Sequence, residues 1–448
     1  MKKCHGFCIV FFFLFSFFIF SAGADFTEIE KRERTLVYGL ESDVTSLIDT
    51  LIKEKDFTYT NQLFDIYVQS QNIVVREKII LYFMNAEDYA LKELVLETLE
   101  DPWDEKKQVV KAMLQYVGKL KITEAGPFIL DLVKTDDEAY FENAVIALGL
   151  VGGEEEALYL AEYFQNEAPS IIKKQALMKA LVNMNEEAIW DFLVETMQNE
   201  DENTYVRMYA SEALGNTKKP EAVDLLIDMF SNSDINIRVY AIKGLANFND
   251  EKTIQVLIEA LKDNNYRVRL EAIEAFKKNK DERAADSLLY RAEHDPEMSV
   301  KQKSYETLAI LNTEAVQRFF KKAIENAKHN TDLRIKAAAV SLEQEIEAVY
   351  QSIFDLAKES LKDDKLKNIR YALGKEFAKY KNKAFEEVCE LYLSHTDVST
   401  KGTGLDIFIT NAYVSLVPKV QAIANNDKEG ANQKKARLAL EKTGFDLK

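Results

Sequence analysis

Apolar residues recur three and four apart along nearly the whole chain, and residues 201–279 write that pattern three times. Val206, Ala210, Ala213 and Leu214 share one helical face, and Ala222, Leu225, Leu226 and Met229 share a second one further on. Between the two lies a turn holding Pro220, a residue tolerated in a helix's first turn. Gly215 reads as the stop of the first helix, in the left-handed conformation that glycine adopts freely. Each such pair predicts a helical hairpin. The first helices read Val206-Arg207-Met208-Tyr209-Ala210, Ile237-Arg238-Val239-Tyr240-Ala241 and Val268-Arg269-Leu270-Glu271-Ala272. Their arginines stand 31 residues apart, with Asp201, Asp234 and Asp263 shortly before them.

A fixed period of this size marks a solenoid, in which each hairpin buries its apolar face against its neighbours. Extended outward, the arginine place falls on Arg76, Lys107, Phe141, Lys174, Arg207, Arg238, Arg269, Lys301, Arg334 and Arg370. The predicted fold class is all-α, an α-α superhelix of about ten to twelve hairpins coiled to the right. Residues 25–71, with helical segments at 29–40, 44–52 and 61–69, read as an N-terminal cap. The array proper covers 72–395. Residues 396–448 read as a degenerate C-terminal end: Lys401-Gly402-Thr403-Gly404 breaks the run, and a Pro418-led helix and a last helix around 434–440 follow. No stretch is rich enough in Gly, Ser or Pro to separate a second domain.

The Asp…Val-Arg-x-x-Ala…Ala-Leu-Gly pattern resembles HEAT repeats, in particular the short bacterial variety also found in phycobilin lyases. The resemblance covers roughly residues 72–395 and is closest over 201–276. It departs at Phe141, where the basic residue is missing, and at Lys107, where Val110 and Met113 replace the small residues. It implies a solenoid whose second helices line the concave face, and a binding role for that face. It also admits a lyase-like or accessory enzyme.

Charge and candidate chemistry narrow these readings. Lys2 and Lys3 precede an apolar run over residues 9–20 and then Ala22-Gly23-Ala24, the build of a secretory signal peptide cleaved before Asp25. The run is shorter than the roughly 20 residues that span a bilayer, so the mature protein is read as exported, periplasmic or extracellular, and not membrane-spanning. Without Lys2 and Lys3, 56 basic residues face 75 acidic ones, a net charge of −19. Such a surface repels phosphates, which argues against a nucleic-acid partner. Cys389 is the one cysteine of the mature chain, in an apolar pattern that suits a buried thiol. His294, His329 and His395 are isolated, and no phosphate-binding loop or nucleophile motif occurs. No catalytic residue, metal site or cofactor is predicted.

Two columns of equivalent residues remain. Arg207, Arg238, Arg269, Arg334 and Arg370 read as a structural ladder, each reaching an Asp of a neighbouring hairpin or the carbonyls at a helix end. On the second helices, Glu97, Asp131, Glu162, Glu195, Asp228 and Glu259 share one place in six successive units; Tyr290 and Lys322 interrupt the column and Asp355 resumes it. Beside it lie the aromatics Tyr159, Tyr163 and Trp190. This column predicts an acidic track for a protein or peptide partner with a basic segment. A structural role in cell-envelope assembly is the other reading.

Overall fold

The computed structural model describes residues 26–184, 187–426 and 430–446. The signal-peptide reading of residues 1–24 lies outside them. Every regular element among the described residues is a helix. The chain divides into two compact units, one through Gly152 and one from Gly153 onward, each described here by itself.

In the first unit the helices Glu41–Glu54, Ile73–Ala86, Lys107–Leu120 and Phe141–Val151 stack one upon the next. Thr60–Gln69, Lys92–Glu100 and Gly126–Lys134 form a second layer against them. The opening helix Glu28–Tyr38 is set by a capping box. The Thr27 hydroxyl accepts from the Glu30 amide, and the Glu30 carboxylate accepts from the Thr27 amide at 2.8 Å. Counting from the helix caps sets two places apart, Lys107 and Phe141, each of which directly follows its cap. Arg76 stands four residues after its cap Asn72, whereas Lys107 directly follows its cap Lys106. Val110, fully buried, holds the arginine's place in that hairpin. The mismatch read at Lys107 was therefore a slip of three residues along one helix.

The second unit repeats the same plan without interruption. Its first helices include Ile171–Leu181, Thr204–Thr217, Ile235–Leu245, Tyr266–Asn279, Met298–Leu311 and Thr331–Glu343. They continue with Lys367–Phe377, Val398–Asn411 and Gly430–Thr443, each packed on the one before. The hairpin architecture thus runs on through residues 396–426. Lys401-Gly402-Thr403-Gly404 does not break a helix; all four lie inside Val398–Asn411, whose cap Asp397 accepts from the Thr400 amide. A Cβ on Gly404 would lie 2.7 Å from the Leu393 nitrogen, so glycine lets this helix settle against the preceding one.

Gly215 has the same kind of role, and not the one the pattern suggested. It lies inside Thr204–Thr217, and Lys218 takes the left-handed conformation, at φ 57°. A Cβ on Gly215 would come within 2.3 Å of the Gly244 Cα, so the backbones of two successive first helices touch. First helices pack on each other at every step of this unit, and more closely than the second helices do. The acidic column lies on the second helices of both units, as its spacing predicted.

Gly215→Val should be strongly destabilising, because neither backbone can retreat without unpacking its hairpin. A loss of at least about 1–3 kcal/mol, the usual cost of overpacking, is expected in urea denaturation.

Candidate functional site

The five ladder arginines are largely buried but do two different things. Arg207, Arg334 and Arg370 turn back to the end of the preceding second helix, donating to the carbonyls of Met197 (3.0 Å), Ile324 (2.9 Å) and Ser360 (2.9 Å). Helix C-termini carry unsatisfied carbonyls and partial negative charge, which a guanidinium answers. Arg238 and Arg269 donate back to the turn before their helix, to the carbonyls of Asn232 and Ser233 and of Asp263 and Asn264, and in addition reach forward into the next turn. Arg238 grips Asp263 at 2.9 and 3.2 Å, and Arg269 grips Asp295 at 2.8 and 2.7 Å. Asp295 is fully buried and also meets Arg291 and the Glu297 amide. Near the C-terminus Arg437 donates to the Ala424 carbonyl at 3.3 Å, repeating the first arrangement.

The acidic column is exposed at every position: Glu97, Asp131, Glu162, Glu195, Asp228 and Glu259, and Asp355 beyond the interruption. Asp131 pairs with Lys134 at 3.0 Å and Glu259 with Lys262 at 2.7 Å, each within its own helix. Glu97, Glu162, Glu195 and Asp228 make no ion pair within 4 Å among the described residues. Those two carboxylates are balanced locally, while Glu97 in the first unit and Glu162, Glu195 and Asp228 in the second are not. Of the aromatics beside the column, Tyr159 and Tyr163 are half-buried with ring centres 6.3 Å apart. Trp190 is half-buried beneath the Lys219 ammonium, which lies 4.9 Å from its ring and 2.9 Å from Glu187.

A further set of equivalent places lies on the first helices of the second unit, two and five residues after each arginine. Tyr209 and Tyr240 meet edge to face at 5.7 Å. Glu212 pairs with Lys243 at 2.6 Å, Glu274 with Lys303, and Glu306 with Lys336 at 2.6 Å and Lys277 at 3.5 Å. The register marks these places, but the residues change sign from hairpin to hairpin, so no single residue type repeats to draw the eye. Glu271 has no salt-bridge partner among the described residues. Burial pushes its carboxyl above the usual range; Lys243 opposes that shift and the like charge of Glu212 adds to it.

Cys389 is buried, donates weakly to the Gly404 carbonyl at 3.5 Å, and burial pushes its thiol well above the ordinary range. His294 and His329 line one shallow pocket with Lys322 and Phe319, and His329 Nε2 lies 3.0 Å from the Tyr305 hydroxyl. Among the described residues no group of three or more His, Cys, Asp or Glu is placed to hold a metal, and no helix is long and apolar enough to cross a membrane.

The hairpin stack and its arginine register have a counterpart among known families. Residues 36–439 match the family described as spirochaete HEAT repeat protein. The chain belongs to this family. No curated protein matches it. Solved structures similar to it include the karyopherin Kap121p bound to the extreme C-terminus of the protein phosphatase Cdc14p, at 12% identity and a TM-score of 0.42. That match covers 92% of this chain and 53% of the karyopherin. Kap121p bound to Pho4p matches at 13% identity and a TM-score of 0.43, covering 93% and 54%. The chain thus spans about half the length of these structures.

Two outcomes test this geometry. Arg269→Ala leaves Asp295 buried among fewer cations and should cost about 3–5 kcal/mol in chemical denaturation, the usual result of breaking a buried pair from one side. Arg207→Ala strands only a carbonyl and should cost less, about 1–3 kcal/mol. Glu271→Gln should raise stability at neutral pH. A carboxyl whose folded pKa is raised destabilises the fold while ionised, and that burden lifts as the pH falls through the raised value. Thermal unfolding of wild type and variant should therefore differ at pH 7 and converge below the ordinary glutamate value of 4.5.

Proposed function

We propose that this protein is a non-catalytic scaffold of the cell envelope that binds a protein or peptide partner carrying a basic segment. The observation that carries the reading is the exposed carboxylate at one place on successive second helices within the second unit, where Glu162, Glu195 and Asp228 have no ion pair among the described residues. Membership of a HEAT-repeat family supports it, since stacked hairpins offer an extended surface on which one contact can be repeated. Carboxylates held at regular intervals along a rigid stack attract a complementary cationic chain and speed its docking. Lys2, Lys3 and the apolar run at residues 9–20 support export, with the periplasm as destination. The mature chain then needs no cofactor to act, and its net charge favours protein over nucleic acid as partner.

Replacing Glu195, Asp228 and Glu259 together by Lys tests the reading. All three are exposed, so the fold should persist. A fluorescent lysine-rich peptide should bind the parent protein and lose at least about tenfold in affinity to the variant, with a flatter dependence on salt. Equal affinity for both proteins at low salt would sink the acidic-column reading.

A further inference from the structure

The first turns of five successive first helices in the second unit carry large apolar side chains that face solvent. Ile171 and Ile172 begin Ile171–Leu181, Tyr205 is in Thr204–Thr217, Ile235 begins Ile235–Leu245, Tyr266 begins Tyr266–Asn279, and Met298 begins Met298–Leu311. All follow their helix cap by one or two residues, and their exposure runs from 36% to 73%. Capping does not explain them. The apolar residue that staples a helix start precedes the cap and packs inward, whereas these follow it and face out. A first turn in water favours polar or acidic residues, so a bulky apolar residue there in five consecutive hairpins is a patterned surface.

The places adjoin one another. Arg267, next to Tyr266, donates to Asn236, next to Ile235, at 2.8 Å. Lys174 at the start of one first helix pairs with Glu202 before the next at 2.5 Å. The six side chains therefore form a ridge along one edge of the stack, with one anchor or two per hairpin.

We infer that this edge docks an amphipathic helix of a protein partner, with basic residues flanking its apolar face. The inference rests on the reading of the chain as a protein-binding scaffold and adds a second surface to it. Spacing selects the helix. Stacked helices lie about 8–10 Å apart, and one face of an α-helix returns every seven residues, about 10.5 Å along its axis. A strand returns to the same face about every 6.6–6.8 Å, which neither one step nor two of a strand reconciles with that interval. Charge selects the flanks. The turns leading into the ridge expose Glu167, Glu200, Asp201 and Glu297. Of the cations nearby, Lys174 is paired with Glu202 and Lys262 with Glu259, and Lys173 and Arg267 leave the four carboxylates in excess.

The test uses a helical peptide of about 28 residues, long enough to cross four hairpin steps, with leucines along one face and lysines beside them. A peptide of the same composition in shuffled order is the control, and the full-length protein is compared with its Ile172→Ser, Tyr205→Ser, Ile235→Ser, Tyr266→Ser variant. All four positions are exposed, and unchanged circular dichroism verifies the variant's fold. The parent should prefer the patterned peptide by at least about tenfold, the variant should lose that preference, and a photo-crosslinker on the leucine face should label residues between 171 and 298. Equal binding of the two peptides, or a preference that survives in the variant, overturns the inference. So does self-association of the parent that the variant abolishes, which would assign the edge to a second copy of the chain. The shuffled peptide keeps its charge, so failure here leaves the acidic column to be judged on its own variant.

Discussion

Each hairpin of this protein is too small to bury its own apolar stripe, and the contact between neighbouring first helices resolves that constraint. At Gly215 and Gly244 the contact closes to backbone against backbone, with no room for a single added carbon. Small residues elsewhere in the layer, Ala210, Ala213 and Ala241 among them, keep that layer close. The second helices, which carry bulkier residues such as Phe192, Leu226 and Met229 toward the core, stand further apart. The close contact of the first helices fixes how successive hairpins stack within the second unit. It also decides which side chains can reach across from one hairpin to the next.

Charge is distributed over both layers. On the tight layer, side chains two and five places after the arginine lie close enough to pair, and they do so in alternating sign: Glu212 with Lys243, Glu274 with Lys303, Glu306 with Lys336. On the second helices the acidic column stays exposed and its pairs are local ones within a helix, while Asp224 with Lys252, Glu387 with Lys358 and Glu390 with Lys419 pair across hairpins. The strongly negative balance of the chain is thus not spread evenly. Both layers pair charge across hairpins, but most of the acidic column is left without such a pair, and the first-helix starts at one edge of the second unit are apolar. A surface divided in this way suits recognition of a partner at more than one kind of contact.

The arginines belong to the architecture through two physical routes. Where a second helix ends on free carbonyls, the guanidinium supplies donors to them, as Arg207, Arg334 and Arg370 do. Where the following turn offers an Asp, the planar fork takes it with two bonds, and Asp295 can be buried completely because three groups answer its charge. One residue type in one register place thus serves hairpins whose turns differ in sequence.

The sequence by itself determined the helical class, the hairpin unit, the family resemblance and the place of the arginine and acidic columns. All of these follow from periodicity, which stacking repeats along the chain without needing distant residues. Only the tertiary structure decided what depends on distance between hairpins. Gly215 and Gly404 read locally as breaks, yet both lie inside helices, because a neighbouring backbone, absent from the local pattern, occupies the space of their side chains. Lys107 was taken for an arginine equivalent because a basic residue stood nearby, whereas the burial of Val110 shows which place faces the core. The ridge from Ile171 to Met298 was hidden among other apolar residues, since a sequence records that a residue is apolar and not whether anything covers it.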